Sequence, residues 1–139
     1  MTLDGITLRN RVVVSPMCQY TSERDAGPTD YHLVHLGQFA MGGAGLIFCE
    51  ETAVEDRGRK SYHCAGIYDD KHLAQYRRIN DFLRAHGAVP GIQLGHGGRK
   101  GSGRPPWEGS ARARCTVNVS RPPPYPNRRA TRVHRPSRS

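Results

Sequence analysis

Gln93, His96, Arg99 and Lys100 lie in the stretch Gly91 to Lys100 (Gly-Ile-Gln-Leu-Gly-His-Gly-Gly-Arg-Lys), where a short apolar run breaks into glycines carrying polar and cationic side chains. Glycine accepts positive φ and lets a ligand approach the backbone, so this stretch suits a flat or anionic group. A second set of reactive types, Cys18 and Tyr20, follows the apolar run Arg11 to Pro16, and a third, Glu51 and Thr52, follows Leu46 to Cys49. Gln93 stands between Ile92 and Leu94. An amide in a buried strand must find hydrogen-bond partners, and a ligand at the strand's edge is one such partner.

These residue types also have plain structural uses. Cysteines at strand ends serve more often as small buried hydrophobes than as reactive thiols, which is the expectation for Cys18 and Cys49 taken alone. His32 and His35 stand at a helical i, i+3 spacing, yet no acid or cysteine motif accompanies them, so packing or surface roles are expected and no metal site. Lys100-Gly101-Ser102 lacks the Gly-Lys-Ser/Thr order of a phosphate loop. Gly42-Gly43-Ala44-Gly45 precedes a strand instead of opening a helix, which excludes a dinucleotide turn.

The elements that must position these residues follow from the apolar pattern. Met1 to Asn10 is a polar lead-in. Arg11 to Pro16 is continuous and β-branched, as a strand buried on both faces reads, and it stops at a residue that cannot donate to a ladder. Thr29 or Asp30 caps a helix over Tyr31 to Met41, with Leu33, Leu36, Phe39 and Ala40 at helical spacing and Gly42-Gly43 as its stop. Leu46 to Cys49 is a second buried strand, and Asp56-Arg57-Gly58-Arg59 a turn. Asp69 and Asp70 cap a helix from about Lys71 to His86, with Leu73, Tyr76, Ile79, Phe82 and Leu83 on one face. Val89 to Leu94 is a third strand. Strands alternating with helices at this spacing predict an α/β fold with a parallel sheet, whose post-strand loops all fall on one edge, where α/β sheets and barrels bind ligands.

The chain has 139 residues and a formal net charge of +9, but the charge is uneven. Residues 111–139 hold eight arginines, no acid, and no Leu, Ile, Met, Phe or Trp. Such a segment cannot bury enough apolar surface to offset its ordering entropy, so disorder is expected for 111–139 and a folded unit for 1–110. A rival reading makes the tail an arm for RNA or DNA, its arginines on phosphates and Tyr125 stacked on a base. Cys18, Cys49, Cys64 and Cys115 show no Cys-x-x-Cys spacing and no secretory leader precedes them, which points to a reduced, cytoplasmic setting. No apolar run approaches the ~20 residues that a membrane span requires.

Five ordered blocks carry a resemblance: Arg9 to Tyr20 (Arg-Asn-Arg-Val-Val-Val-Ser-Pro-Met-Cys-Gln-Tyr), Gly45-Leu46-Ile47, Glu50 to Val54, Gly91 to Lys100, and Arg104-Pro105-Pro106-Trp107-Glu108-Gly109. Together they resemble the N-terminal part of the Old Yellow Enzyme family, and Cys18 resembles the cysteine of its thermophilic-like subgroup. The resemblance implies an FMN-dependent ene-reductase on a TIM (β/α)8 barrel. NADPH or NADH would reduce FMN, which would deliver hydride to the β-carbon of an activated alkene. Backbone groups of Ser15, Pro16 and Met17 would line the isoalloxazine. Cys18 would sit by its reactive edge, Gln93 would pair with its pyrimidine ring, and Tyr20 would face the substrate. Glu51 stands where the family usually places a small residue such as alanine, and its carboxylate would crowd the ring unless it turned to solvent.

A (β/α)8 barrel takes ~250 residues and eight strands, so the three units here make a partial barrel with two open strand edges. The family's substrate-binding His/Asn pair, proton-donating tyrosine and phosphate site are implied on strands this chain does not contain. The expectation is therefore a truncated copy that lacks a stable flavin spectrum and tends to aggregate, with homo-oligomers left to full-length members. The resemblance stops near Ser110, and a change of reading frame there is the expected origin of the tail; the missing barrel would then be found in another frame of the genomic DNA.

Overall fold

The computed structural model describes residues 1–22, 24–101 and 103–108. The expectations for the 111–139 tail, its disorder and nucleic-acid role, and Cys115 lie outside them. The parallel sheet is present: β3 (Val13–Val14), β4 (Leu46–Ala53) and β5 (Val89–Gly95) pair in that order, with Val13 beside Leu46 and Leu46 beside Val89. Two helices, α1 (Asp30–Met41) and α2 (Leu73–Ala85), connect them.

Each helix begins where local chemistry lets it. Thr29 is the N-cap of α1, and the ring Nδ1 of His32 accepts from the Thr29 backbone N–H at 2.9 Å. His32 thus fills the place that Glu or Gln takes in a capping box, answering one of the amides that a helix start leaves unpaired. Before α2 the carboxylate of Asp69 accepts from the Lys71 N–H at 3.0 Å, which tightens Asp70–His72 into a 3-10 turn. The α-helix expected from Lys71 therefore starts at Leu73. Leu73 itself remains 45% exposed, whereas Tyr76, Ile79 and Leu83 are buried.

Leu36 and Ala40 of α1, Ile47 and Cys49 of β4, and Tyr76, Ile79 and Leu83 of α2 form one core cluster. Because strand side chains alternate, Ile47 and Cys49 define one face of the sheet, and both helices cover that face. Arg9 ties the helix ends together: its guanidinium donates to the carbonyls of Ala40 (2.8 Å), Ala44 (2.9 Å) and His86 (2.6 Å). A cation there meets the negative ends of both helix dipoles.

Two expectations are corrected. The first strand is two residues long, not six, and it is not buried on both faces, since Val12 is 54% and Val13 47% exposed. Val13 pairs with Leu46 on the face that the helices leave uncovered among the described residues, and Val12 precedes the paired residues. The polar lead-in also carries two strands that the sequence reading did not assign. β1 (Thr2–Leu3) and β2 (Ile6–Thr7) form an antiparallel hairpin around Asp4 and Gly5, both at positive φ (43° and 78°), the pairing that a two-residue turn favours. Among the described residues no helix is long and apolar enough to cross a membrane.

Candidate active site

The site is organised by an irregularity in β4. Cys49 pairs with Ile92 in β5, but the next pair is Glu51 with Gln93, so Glu50 is an extra residue bulged out of the ladder. Alternation would otherwise put Glu50 on the face of Phe48. The bulge resets the period, a usual function of such an insertion beside a site. Glu51 then shares a face with Phe48, Gly91, Gln93 and Gly95, opposite the core. Glu50 is buried at 2% exposure and meets His32 of α1, with Oε1 2.8 Å from Nε2.

The segment after β3 is held from below by the same carboxylate. Glu50 Oε2 accepts from the Gln19 backbone N–H at 3.2 Å. Gln19 also accepts from the Tyr31 hydroxyl at 2.9 Å and donates to the Met17 carbonyl at 2.9 Å. Flanking it, Cys18 is half-buried, and Tyr20 takes positive φ (56°) and meets Trp107 edge to face, ring centroids 6.1 Å apart. Burial, then the Glu50 charge, pushes the Cys18 thiol above its ordinary value, so at neutral pH it is a thiol and not a thiolate nucleophile. Burial likewise raises the Tyr20 phenol, Cys18 adding to the effect.

Glu51 is not turned to solvent as its crowding of a ring would have required. Its carboxylate is 20% exposed and pairs with the ammonium of Lys60, whose pKa that hydrogen bond raises. The side chain lies flat on β5, and a Cβ at Gly95 would sit 2.5 Å from Glu51 Cγ, so glycine at 95 leaves it room. Gln93, expected to be buried, is exposed on the same face. The Cys18 thiol feels the charges of both Lys60 and Glu51. Cys18 thus lies within reach of the Glu51 and Lys60 charges, Tyr20 within reach of Cys18 and Lys60, and Gln93 beside Glu51 in the ladder, whereas Thr52, expected on the same edge, is fully buried. Ser15 and Met17 are exposed and Pro16 half-buried between the end of β3 and Cys18.

The loops beyond the strands are tied to one another. His96, after β5, donates from Nε2 to Glu55, after β4, at 2.6 Å, while its Nδ1 accepts from Gly98 N–H at 2.9 Å. Arg59, 2% exposed, donates to the carbonyls of Cys64 and Arg24, both at 2.9 Å, and to that of Tyr62, fixing the loop that carries Lys60. Sequence reasoning missed Lys60, Glu50, His32 and Trp107 as members of this neighbourhood. Only Trp107 and Glu50 had a signal, in that both fall within the resembling blocks. A cavity of about 430 Å3 opens elsewhere, between Thr29 and Asp30 at the start of α1 and Gln75 and Arg78 of α2, and contains none of the selected residues. Among the described residues no group of three or more His, Cys, Asp or Glu is placed to hold a metal ion.

Cys49 shows the structural use of a cysteine. It is a free thiol in the core, and burial with the neighbouring Glu50 charge pushes its pKa from 9.0 to about 12. Burial likewise lifts the Tyr68 phenol from 10.0 to about 12. A raised folded-state pKa stabilises the fold while the proton is held. That contribution is whole below the unfolded values and is lost as pH rises through the folded ones. Urea midpoints are expected to fall steadily between pH 9 and pH 12, and Cys49→Ala should make that fall shallower; an unchanged slope in the variant would rule Cys49 out as a contributor.

The chain and its fold match known proteins. The profile of the NADH:flavin oxidoreductase / NADH oxidase family matches residues 1–123, and the chain belongs to that family. It is 44% identical over 100 residues to the NADPH dehydrogenase of Bacillus cytotoxicus, a match covering 71% of this chain and 29% of that protein. It is 46% identical over 99 residues to the NADPH dehydrogenase of Listeria monocytogenes serotype 4a, covering 70% of this chain and 29% of that one. Among solved structures, the old yellow enzyme from Trypanosoma cruzi superposes with a TM-score of 0.65 at 30% identity, covering 73% of this chain and 27% of that chain. Morphinone reductase in complex with tetrahydroNAD gives 0.67 at 29% identity, with the same coverage. The chain thus spans about 29% of the curated relatives it matches.

Proposed function

We propose that the rim formed by Ser15 to Tyr20, Glu51 and Gln93 is one side of the FMN site of an NAD(P)H-dependent ene-reductase, with the three βα units forming part of a (β/α)8 barrel. The observation that carries this reading is the bulge in β4, which sets Glu51 beside Gln93 on the face opposite the core, while the charges of Glu51 and Lys60 reach the Cys18 thiol. The donor set fits a flavin's polar edge. Gln93 offers an amide that can both donate and accept, Lys60 offers a cation, and the Glu51 carboxylate enters the rim already neutralised by Lys60. Bound FMN would supply the hydride chemistry, taken from NADPH or NADH and passed to the β-carbon of an alkene conjugated to a carbonyl.

The chain's own residues orient and tune. Gln93 would hydrogen-bond the pyrimidine edge, and the Ser15, Pro16 and Met17 backbone would line the ring. Cys18, kept as a neutral thiol, borders the reactive edge without contributing a charge. Tyr20, braced by Trp107, presents its phenol to the substrate. The described residues supply one side of such a site, so binding should be reversible and weak. The purified chain is expected to be colourless, to perturb the visible band of added FMN, and to lose the flavin on gel filtration. Stoichiometric retention would contradict the one-sided site, and no perturbation at any FMN concentration would remove the flavin reading.

A further inference from the structure

We infer that Glu50 and His32 are positioning residues that pin the turn carrying Cys18 and Tyr20 beneath the rim; the inference rests on reading that turn as the reactive edge of a flavin site. The two residues are 2% and 1% exposed, and Glu50 reaches the rim through the Gln19 backbone amide. Glu50 spans two donors, accepting from His32 Nε2 at 2.8 Å on Oε1 and from the Gln19 backbone N–H at 3.2 Å on Oε2. The tautomer of His32 is fixed from its far side. The Thr29 N–H donates to Nδ1 at 2.9 Å, so Nδ1 is bare and Nε2 carries the hydrogen.

Glu50 must consequently accept on both oxygens. A carboxylate does so, whereas a carboxamide would turn its NH2 toward one of the two donors and leave a buried mismatch. The chain of contacts runs from the cap of α1 through the ring and the bulged carboxylate to the Gln19 amide, with Cys18 on one side of that amide and Tyr20 on the other. Tyr31, in the same first turn of α1, holds the Gln19 side chain at 2.9 Å and makes a second tie from the helix to the turn. Glu50 and His32 therefore set where the thiol and the phenol stand without meeting a ligand.

Amide hydrogen exchange on the full 139-residue chain, resolved by NMR and run without flavin, tests the tie. Glu50→Gln should speed exchange of the Gln19 amide about tenfold, the loss expected for a hydrogen bond to a charged acceptor, while amides of β4 and α2 keep their protection. His32→Asn retains an acceptor for the Thr29 N–H but loses the donor to Glu50, and should behave like Glu50→Gln. His32→Gln places an N–H near the position of Nε2 and should restore protection. Iodoacetamide labelling mapped by peptide mass should show Cys18 reacting faster in the first two variants and Cys49 remaining protected. Fast Gln19 exchange in the unmodified chain, no change in Glu50→Gln, failure of His32→Gln to restore, or an equal loss of protection across β4 and α2 would each overturn the positioning role. If the unmodified chain fails to bind FMN, the flavin reading falls while the exchange pattern still decides the tie.

Discussion

Arg59→Met is expected to cost about 3 kcal/mol of stability, because a buried guanidinium that answers several carbonyls is replaced by a side chain that answers none. Arg59 is 2% exposed and donates to Cys64, Arg24 and Tyr62, with Asp56 Oδ1 3.8 Å from its Nη1. Those carbonyls belong to two segments, the loop after β4 and the loop before α1, so the loss unties both. Lys60 is the neighbour of Arg59, and loosening this loop would also release the partner of Glu51. Arg59→Lys should fall well short of rescue, since an ammonium cannot hold the forked geometry that reaches separate carbonyls. Urea denaturation of the two variants beside the unmodified chain checks this. A loss below about 1 kcal/mol would mean that water replaces the guanidinium at those carbonyls.

Glu51→Ala is expected to tighten FMN binding by about tenfold, equivalent to roughly 1.4 kcal/mol, because it clears the strip beside Gln93 and frees the Lys60 ammonium from its ion pair. The carboxylate lies flat along β5 beside Gln93, where a Cβ on Gly95 would be 2.5 Å from it. It therefore competes with a planar ligand both for space and for Lys60. Removing it opens the strip over Gly95 and leaves the Lys60 ammonium to meet an electron-rich edge. Lys60→Ala should act in the opposite sense and weaken binding, because the buried part of Glu51 then keeps an unpaired charge. FMN fluorescence titration of both variants provides the comparison. Weaker binding in Glu51→Ala would show that the carboxylate is a flavin ligand and not an obstruction.

The regular parts of the fold were legible because local chemistry alone decides them. The cap at Thr29, the stop at Gly42, and the apolar stripe Tyr76, Ile79 and Leu83 are all encoded within one or two helical turns. That the three strands pair in parallel followed from the alternation of elements. The Asp4-Gly5 hairpin was equally local but was read only as a polar lead-in, although the apolar Leu3 and Ile6 beside that dipeptide carried its signal. What could not be read was which way the acidic pair points. Strict alternation gives Glu50 to the face of Phe48 and Glu51 to the face of Cys49, and one inserted residue reverses both.

That reversal also explains why His32 looked like a packing residue. Its partner Glu50 is 18 positions away and faces it only through the bulge. Gln93 was placed on the right strand with the wrong burial, since the exposure of a sheet face depends on what covers it and not on the strand's own sequence. Lys60 was invisible for a related reason. Its approach to Glu51 depends on the path of a loop that Arg59 organises from within.

The central claim, that the strand-end rim recognises a flavin, is tested most directly by titrating FMN into the 139-residue chain and into its Gln93→Ala variant while following the flavin's visible band. A saturable shift is expected in the unmodified chain and is largely lost in the variant, whose circular dichroism and urea midpoint stay unchanged because Gln93 is exposed. Equal shifts in the two proteins, or none in either, would contradict it.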